Sequence, residues 1–282
     1  MNKKLIFLII IISLPIIILN ILATSKDETT DHTITVFVHG TALAPRIIDR
    51  LPIKPLFHCP KGLSLAHDMP SNYDFYKRAE GFINLNNKLY SFDRFYFFGW
   101  KSEKIYDSVR KQAAQDLVTE LQPLVEKYYK NHGVAPKIRF IGHSHGGNVV
   151  LHTANFLPLA INNKNIEIEA WLVGVPVQKT NCDLVNSSNF TRVYSIYSDT
   201  DWMQRMDPQG LRNPEAGLKN LWSDRTFDKN SKCIQINFTV NGKSISHTSY
   251  RSLFQYFPLI QELIEEKSKN LDSGTISVNF EK

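Results

Sequence analysis

The pentapeptide Gly142-His143-Ser144-His145-Gly146 constrains this chain more than any other stretch. It follows a short apolar run at 137–141 and precedes a helical pattern over 148–157, with Gly147 directly after it. A strand that turns sharply into a helix strains the turning residue and crowds its neighbours, which glycine tolerates. The same turn lifts the Ser144 hydroxyl above the sheet. It also aims the helix amino terminus at that oxygen, where the helix dipole favours developing negative charge. Alone the pattern is weak; between a strand and a helix it marks a candidate nucleophile.

The rest of the chain repeats this alternation. Strands are predicted at 33–38, 95–98, 137–141, 166–173, 192–197 and 233–240. Helices are predicted over 103–129, 148–157 and 250–265, and Asn131-His132-Gly133 supplies a stop for the first. About six strands alternating with helices argue an α/β domain, with a mostly parallel sheet covered on both faces. The domain runs over 33–268, after a polar spacer at 25–32 and before a tail at 269–282 that shows no clear pattern. Two stretches break the rhythm, 41–91 and 202–232. The first holds Pro45, Pro52, Pro55, Pro60 and Pro70. Insertions of such length are often lids or binding loops, with a padded sheet edge as the alternative.

With 282 residues the chain is sized for one large α/β domain or two small ones. Its 43% hydrophobic residues suffice for a full core, and its aromatic content sets aside disordered and coiled-coil classes. The net charge of +6 is scattered, and no run of basic residues marks a nucleic-acid or polybasic lipid site. Cys59, Cys182 and Cys233 show no C-x-x-C spacing; a Cys182–Cys233 bridge stays open in an oxidising compartment. Lys3 and Lys4 precede an uncharged apolar run at 5–22, which as a helix spans about 27 Å, close to the bilayer core. Asp27 and Glu28 follow it, a charge order that puts the amino terminus in the cytosol. Residues 1–24 therefore read as a signal anchor with the domain on the non-cytoplasmic side. A cleaved signal peptide, with a weak exit at Ile21-Leu22-Ala23, would make the protein secreted or periplasmic. Asn186, Asn189 and Asn237 open N-x-Ser/Thr sequons, which matter only where exported proteins are glycosylated.

On the turn, its strand–helix context and the surrounding alternation, 33–267 resembles the α/β-hydrolase superfamily, in particular its lipase and esterase branch. The chain begins with the strand that normally precedes the oxyanion loop, so the family's first two strands are missing from this reading. The resemblance implies a triad in the order Ser, acid, His, with Ser144 as nucleophile and no cofactor. Of nine histidines only His247 lies beyond the acid region, in Ser246-His247-Thr248 between the last strand and the closing helix. A neutral imidazole there can take the serine proton and return it to the leaving group. Tyr197-Ser198-Asp199-Thr200-Asp201-Trp202 offers two acids. The family's small-x-x-Asp spacing selects Asp201, with Asp199 as the alternative or as a brace for the turn. The oxyanion hole implied by the resemblance uses the backbone N–H groups of His145 and Thr41. Gly40 would allow close approach, with His39 bracing the loop, and Gly142 and Gly146 are the glycines of the turn. The side chains of His143 and His145 should point apart across the turn, and no ligand pattern accompanies them, so no metal is expected. Trp100, Trp171, Trp202 and Trp222 fit an apolar pocket or ordinary core.

The resemblance implies cleavage of carboxylic esters, with apolar acyl chains and lipid esters entering by analogy. An acyltransferase or a peptidase would use the same triad. A non-catalytic binding module would be expected to have lost triad residues, whereas every residue type is present in order. Sequence does not set the leaving group or the oligomeric state.

Overall fold

Strand Thr33–Val38 (β1) is buried along its whole length, and its alternation divides the interior. Ile34, Val36 and Val38 face one apolar cluster, while Phe37 faces another. A strand apolar on both faces belongs in the middle of a covered parallel sheet. The computed structural model of the protein describes residues 31–41, 59–212 and 220–282, and His32–Lys282 forms one unit. The apolar run at 5–22 lies outside the described residues, as does 42–58 of the first insertion. Among the described residues no helix is long and apolar enough to cross a membrane.

β1 lies between Phe95–Gly99 (β3) and Lys137–His143 (β4), parallel to both. Beyond β4 come Ile168–Val173 (β7), Arg192–Tyr197 (β8) and Ile234–Val240 (β9), all parallel. Gly62–Leu65 (β2) pairs antiparallel outside β3, and Lys243–Ser244 (β10) antiparallel with β9. A separate hairpin, Ala160–Ile161 (β5) with Lys164–Asn165 (β6), precedes β7. Gly274–Phe280 (β11) runs parallel to β9 along all seven residues. Among the described residues the main sheet therefore has nine strands rather than about six. The three strands outside the predicted runs, β2, β10 and β11, make up the difference, and β10 is only two residues long. β2 is too short to show a period. β11 does alternate, with Ile276, Val278 and Phe280 against Thr275, Ser277 and Asn279, but half of it is exposed. Most of the described first insertion is thus folded into the domain: β2 extends the sheet, and helix Asp74–Leu85 (α1) packs Phe75, Ala79 and Phe82 on it.

Helix Asp107–His132 (α2) ends as the sequence indicates, on Gly133 in the left-handed region at φ 71°. It covers one sheet face together with His145–Thr153 (α3). The opposite face is covered by α1 and the carboxyl-terminal helices. The helical pattern at 250–265 is divided there. Ser249–Leu253 and Phe257–Lys267 are separated by a 3₁₀ turn, and Pro258, in the first turn of the second helix, cannot donate back across the break. Trp171 is fully buried on this face, stacked on Tyr194 at 3.9 Å and edge-on to Phe257. Trp100 is also buried, whereas Trp202 and Trp222 are exposed. The three cysteines are free thiols, so Cys182 and Cys233 are not bridged.

Candidate active site

Ser144 stands between β4 and α3 with φ 52° and ψ −131°, a conformation that costs of order 1–3 kcal/mol and marks functional turns. Its N–H donates to the Val173 carbonyl at 2.9 Å, and its carbonyl accepts from Gly147 N–H at 2.9 Å. The turn is packed backbone against backbone. A Cβ on Gly142 would fall 2.5 Å from Gly147 Cα, and one on Gly146 2.3 Å from the Val38 carbonyl oxygen. No rotamer change relieves such contacts, so both positions require glycine for space rather than for flexibility. The consequence is that α3 starts hard against the end of β1, and Ser144 is carried to the carboxyl edge of the sheet.

His247 arrives from the segment between β10 and the helices. Its Nε2 is 3.0 Å from Ser144 Oγ, and its Nδ1 is 2.8 Å from Asp201 Oδ2. Asp201 is fully buried, and its other oxygen accepts from Gln204 N–H, which fixes it at the start of a short helix, Trp202–Arg205. Two hydrogen bonds tie the acid turn to the strand leading to the histidine. Ser198 Oγ accepts from Ile245 N–H at 2.8 Å, and Thr200 Oγ1 donates to the Ile245 carbonyl at 3.0 Å. Asp199, the other candidate acid, instead accepts from Asn237 Nδ2 at 2.8 Å.

The loop after β1 lies against Ser144: a Cβ on Gly40 would meet Ser144 Cβ at 2.9 Å. That brings the Gly40–Thr41 segment beside Ser144, with the Thr41 hydroxyl buried and without a partner among the described residues. His39 braces this loop. Its Nδ1–H donates to the Gly40 carbonyl at 2.6 Å, while Trp100 Nε1–H donates to the His39 carbonyl at 2.9 Å. Burial pushes the His39 imidazole down to about 4, so it is neutral at ordinary pH.

The two histidines beside Ser144 do point apart. His143 stacks on His247 at 5.4 Å, and burial, with the charges of His247 and Arg78, keeps its pKa well below the usual range. His145 turns to the α2 side, where Arg110 Nη1 lies 3.1 Å from its Nδ1 and Asp207 Oδ1 lies 3.3 Å from its Nε2. Arg110, Asp207 and Gln178 are not legible as site residues in the sequence. They come from three distant segments, and no local motif joins them. Among the described residues no group of three His, Cys, Asp or Glu side chains could hold a metal ion.

A mostly parallel sheet, a strained serine turn at its carboxyl edge and the acid and then the histidine that follow along the chain define an α/β-hydrolase fold. No family model and no curated protein sequence matches the chain. Among solved structures it is similar to a lipase/esterase from Lactobacillus plantarum, at 11% identity and a TM-score of 0.39, covering 91% of this chain and 83% of that one. It is also similar to a lipase-esterase related protein from Clostridium acetobutylicum, at 14% identity and a TM-score of 0.33 over 89% and 86% of the two chains. A third is carboxyl esterase 2 from Tuber melanosporum, at 10% identity and 0.36 over 90% and 70%. At such values no residue role or substrate carries over from these proteins to this chain.

Proposed function

We propose that the protein is a serine hydrolase that cleaves carboxylic esters, with a preference for apolar acyl groups. The observation that carries this reading is the unbroken line from Ser144 Oγ through His247 to Asp201, at 3.0 and 2.8 Å. In this mechanism His247 Nε2 takes the Ser144 proton as Oγ attacks the ester carbonyl. Asp201 holds the proton on Nδ1 and stabilises the imidazolium that forms. The N–H groups of His145 and Thr41 receive the oxyanion. The alcohol leaves with the proton from His247, and water activated by the same imidazole releases the acid. If 1–24 anchors the chain, this chemistry takes place on the non-cytoplasmic face of a membrane, where lipid esters are at hand.

The test is fluorophosphonate labelling and turnover of p-nitrophenyl esters of increasing chain length, by the chain from Asp27 onward and by its Ser144→Ala variant. Labelling and turnover that both vanish in the variant support an esterase, and the chain-length profile reports the acyl preference. Labelling without ester turnover turns the assignment to an acyltransferase or peptidase. A folded protein that does neither is a binding module.

A further inference from the structure

The His145 side chain has no part in the chemistry above, yet both of its ring nitrogens are engaged. A guanidinium can only donate, so Nδ1 accepts from Arg110 and the ring proton sits on Nε2, facing Asp207. Gln178 closes the circuit: its amide N–H donates to Asp207 Oδ2, and its Oε1 accepts from Arg110 Nη2. Arg110 is fully buried, and it also donates to Asp107 and to the Ile105 carbonyl, both at 3.1 Å. A ring of four side chains, drawn from α2, the serine turn, the loop after β7 and the segment after Asp201, thus includes the His145 imidazole. Burying such charges opposes folding, and apolar residues of the same volume would fill the space without that penalty. The arrangement therefore calls for a purpose other than packing.

We infer that Arg110, Gln178 and Asp207 are positioning residues that act through His145 to fix the direction of its backbone N–H, the donor next to the nucleophile. This rests on the reading of Ser144 as nucleophile. The strained peptide between Ser144 and His145 would relax by rotating, and rotation swings that N–H away from the oxyanion. Clamping the His145 ring from both sides resists the rotation. The clamp shares its acid-bearing segment with the triad, because Asp201 caps the start of Trp202–Arg205 and Asp207 follows two residues after its end. One short helix thereby sets both the tilt of His247 and the aim of the donor.

The experiment compares the wild type with Gln178→Met and Asp207→Asn, using p-nitrophenyl butyrate, an alkyl boronic acid and active-site titration. Selective ¹⁵N-histidine NMR is run alongside. A misaimed donor should lower kcat and weaken boronate binding together, roughly tenfold or more, while KM moves less than about twofold and the titre of competent sites holds. The wild-type His145 ring should carry its proton on Nε2, and Gln178→Met should loosen that preference. A proton on Nδ1, unchanged kcat and boronate affinity, or a loss confined to the titre overturns the inference. Should Asp207→Asn fail to fold, Gln178→Met, which removes no charge, decides alone. A folded wild type without turnover or labelling removes the nucleophile reading and the positioning role with it, whatever the tautomer.

Discussion

Asp199 accepts a hydrogen bond from Asn237 at 2.8 Å, whereas Asp201 pairs with His247 at 2.8 Å. Two carboxylates in one turn are thus assigned different tasks by their partners alone. Asp201→Asn should leave the fold in place and lower kcat by about a thousandfold or more, because the amide no longer stabilises the correct tautomer or the imidazolium. Asp199→Asn should stay within about threefold of wild type, since an amide oxygen can still accept from Asn237. Steady-state kinetics on one p-nitrophenyl ester separate the two, and a reversed order of effects would overturn the assignment of the acid.

Gly40→Ala is expected to be severe despite adding one methyl group. That methyl would stand 2.9 Å from Ser144 Cβ and 3.1 Å from the His143 carbonyl oxygen, leaving no side chain free to swing aside. Overpacking of this kind costs about 1–3 kcal/mol and here also displaces Ser144. The measurement is kcat together with the thermal midpoint. A variant that melts a few degrees lower but keeps full activity would show that the loop yields without moving Ser144.

Acid should weaken the fold before the carboxylates titrate. His39 is neutral in the folded protein down to about pH 4, whereas the unfolded chain binds a proton there below about 6.5. A group whose folded pKa is depressed favours the unfolded, proton-binding state as pH falls, so stability drops between those two values, by at most about 3 kcal/mol. His143 is pushed in the same direction by burial. Urea midpoints recorded from pH 7 to pH 4 should therefore fall, and His39→Gln should flatten part of that slope. Equal slopes in both proteins would remove His39 from the explanation.

A distant ion pair supplies the contrast between stability and catalysis. Arg139 on β4 and Glu169 on β7 are cross-strand partners, both buried, and Lys137 Nζ reaches Glu169 at 2.7 Å. Burial alone would raise the Glu169 carboxyl, but Arg139 and Lys137 hold it below the usual range. Arg139 lies about 16 Å along the strand from Ser144, at the usual rise per residue. Glu169→Ala should cost about 3–5 kcal/mol by stranding the guanidinium. The kcat per titrated site should be unchanged in urea-free buffer; a lowered value would mean that the pair communicates with the turn.

How far the sequence can be read depends on the range of the forces involved. The serine turn is legible because its chemistry is local: a strand, crowded glycines and a helix stand within a dozen residues. That His247 should lie beside Ser144 is legible because chain order leaves no other histidine, and that Asp201 rather than Asp199 should meet it is legible from its spacing to Ser198. The His145 clamp is not, since Arg110, Gln178 and Asp207 are ordinary polar residues until the fold brings them together. The break of the final helix is written in Pro258, but the apolar period runs through it and conceals it. In β11 the alternation of Ile276, Val278 and Phe280 gains its meaning only once a neighbouring strand gives it a partner.

The helix between Asp201 and Asp207 also bears on how this sequence can diverge. Each residue added to or removed from a helix turns the downstream chain by about 100°, so a single insertion there would carry one carboxylate away from its histidine. Trp202, Met203 and Met206, by contrast, lie on the exposed side. Descendants of this chain should therefore vary freely in the identity of those three residues while keeping the length of the segment fixed.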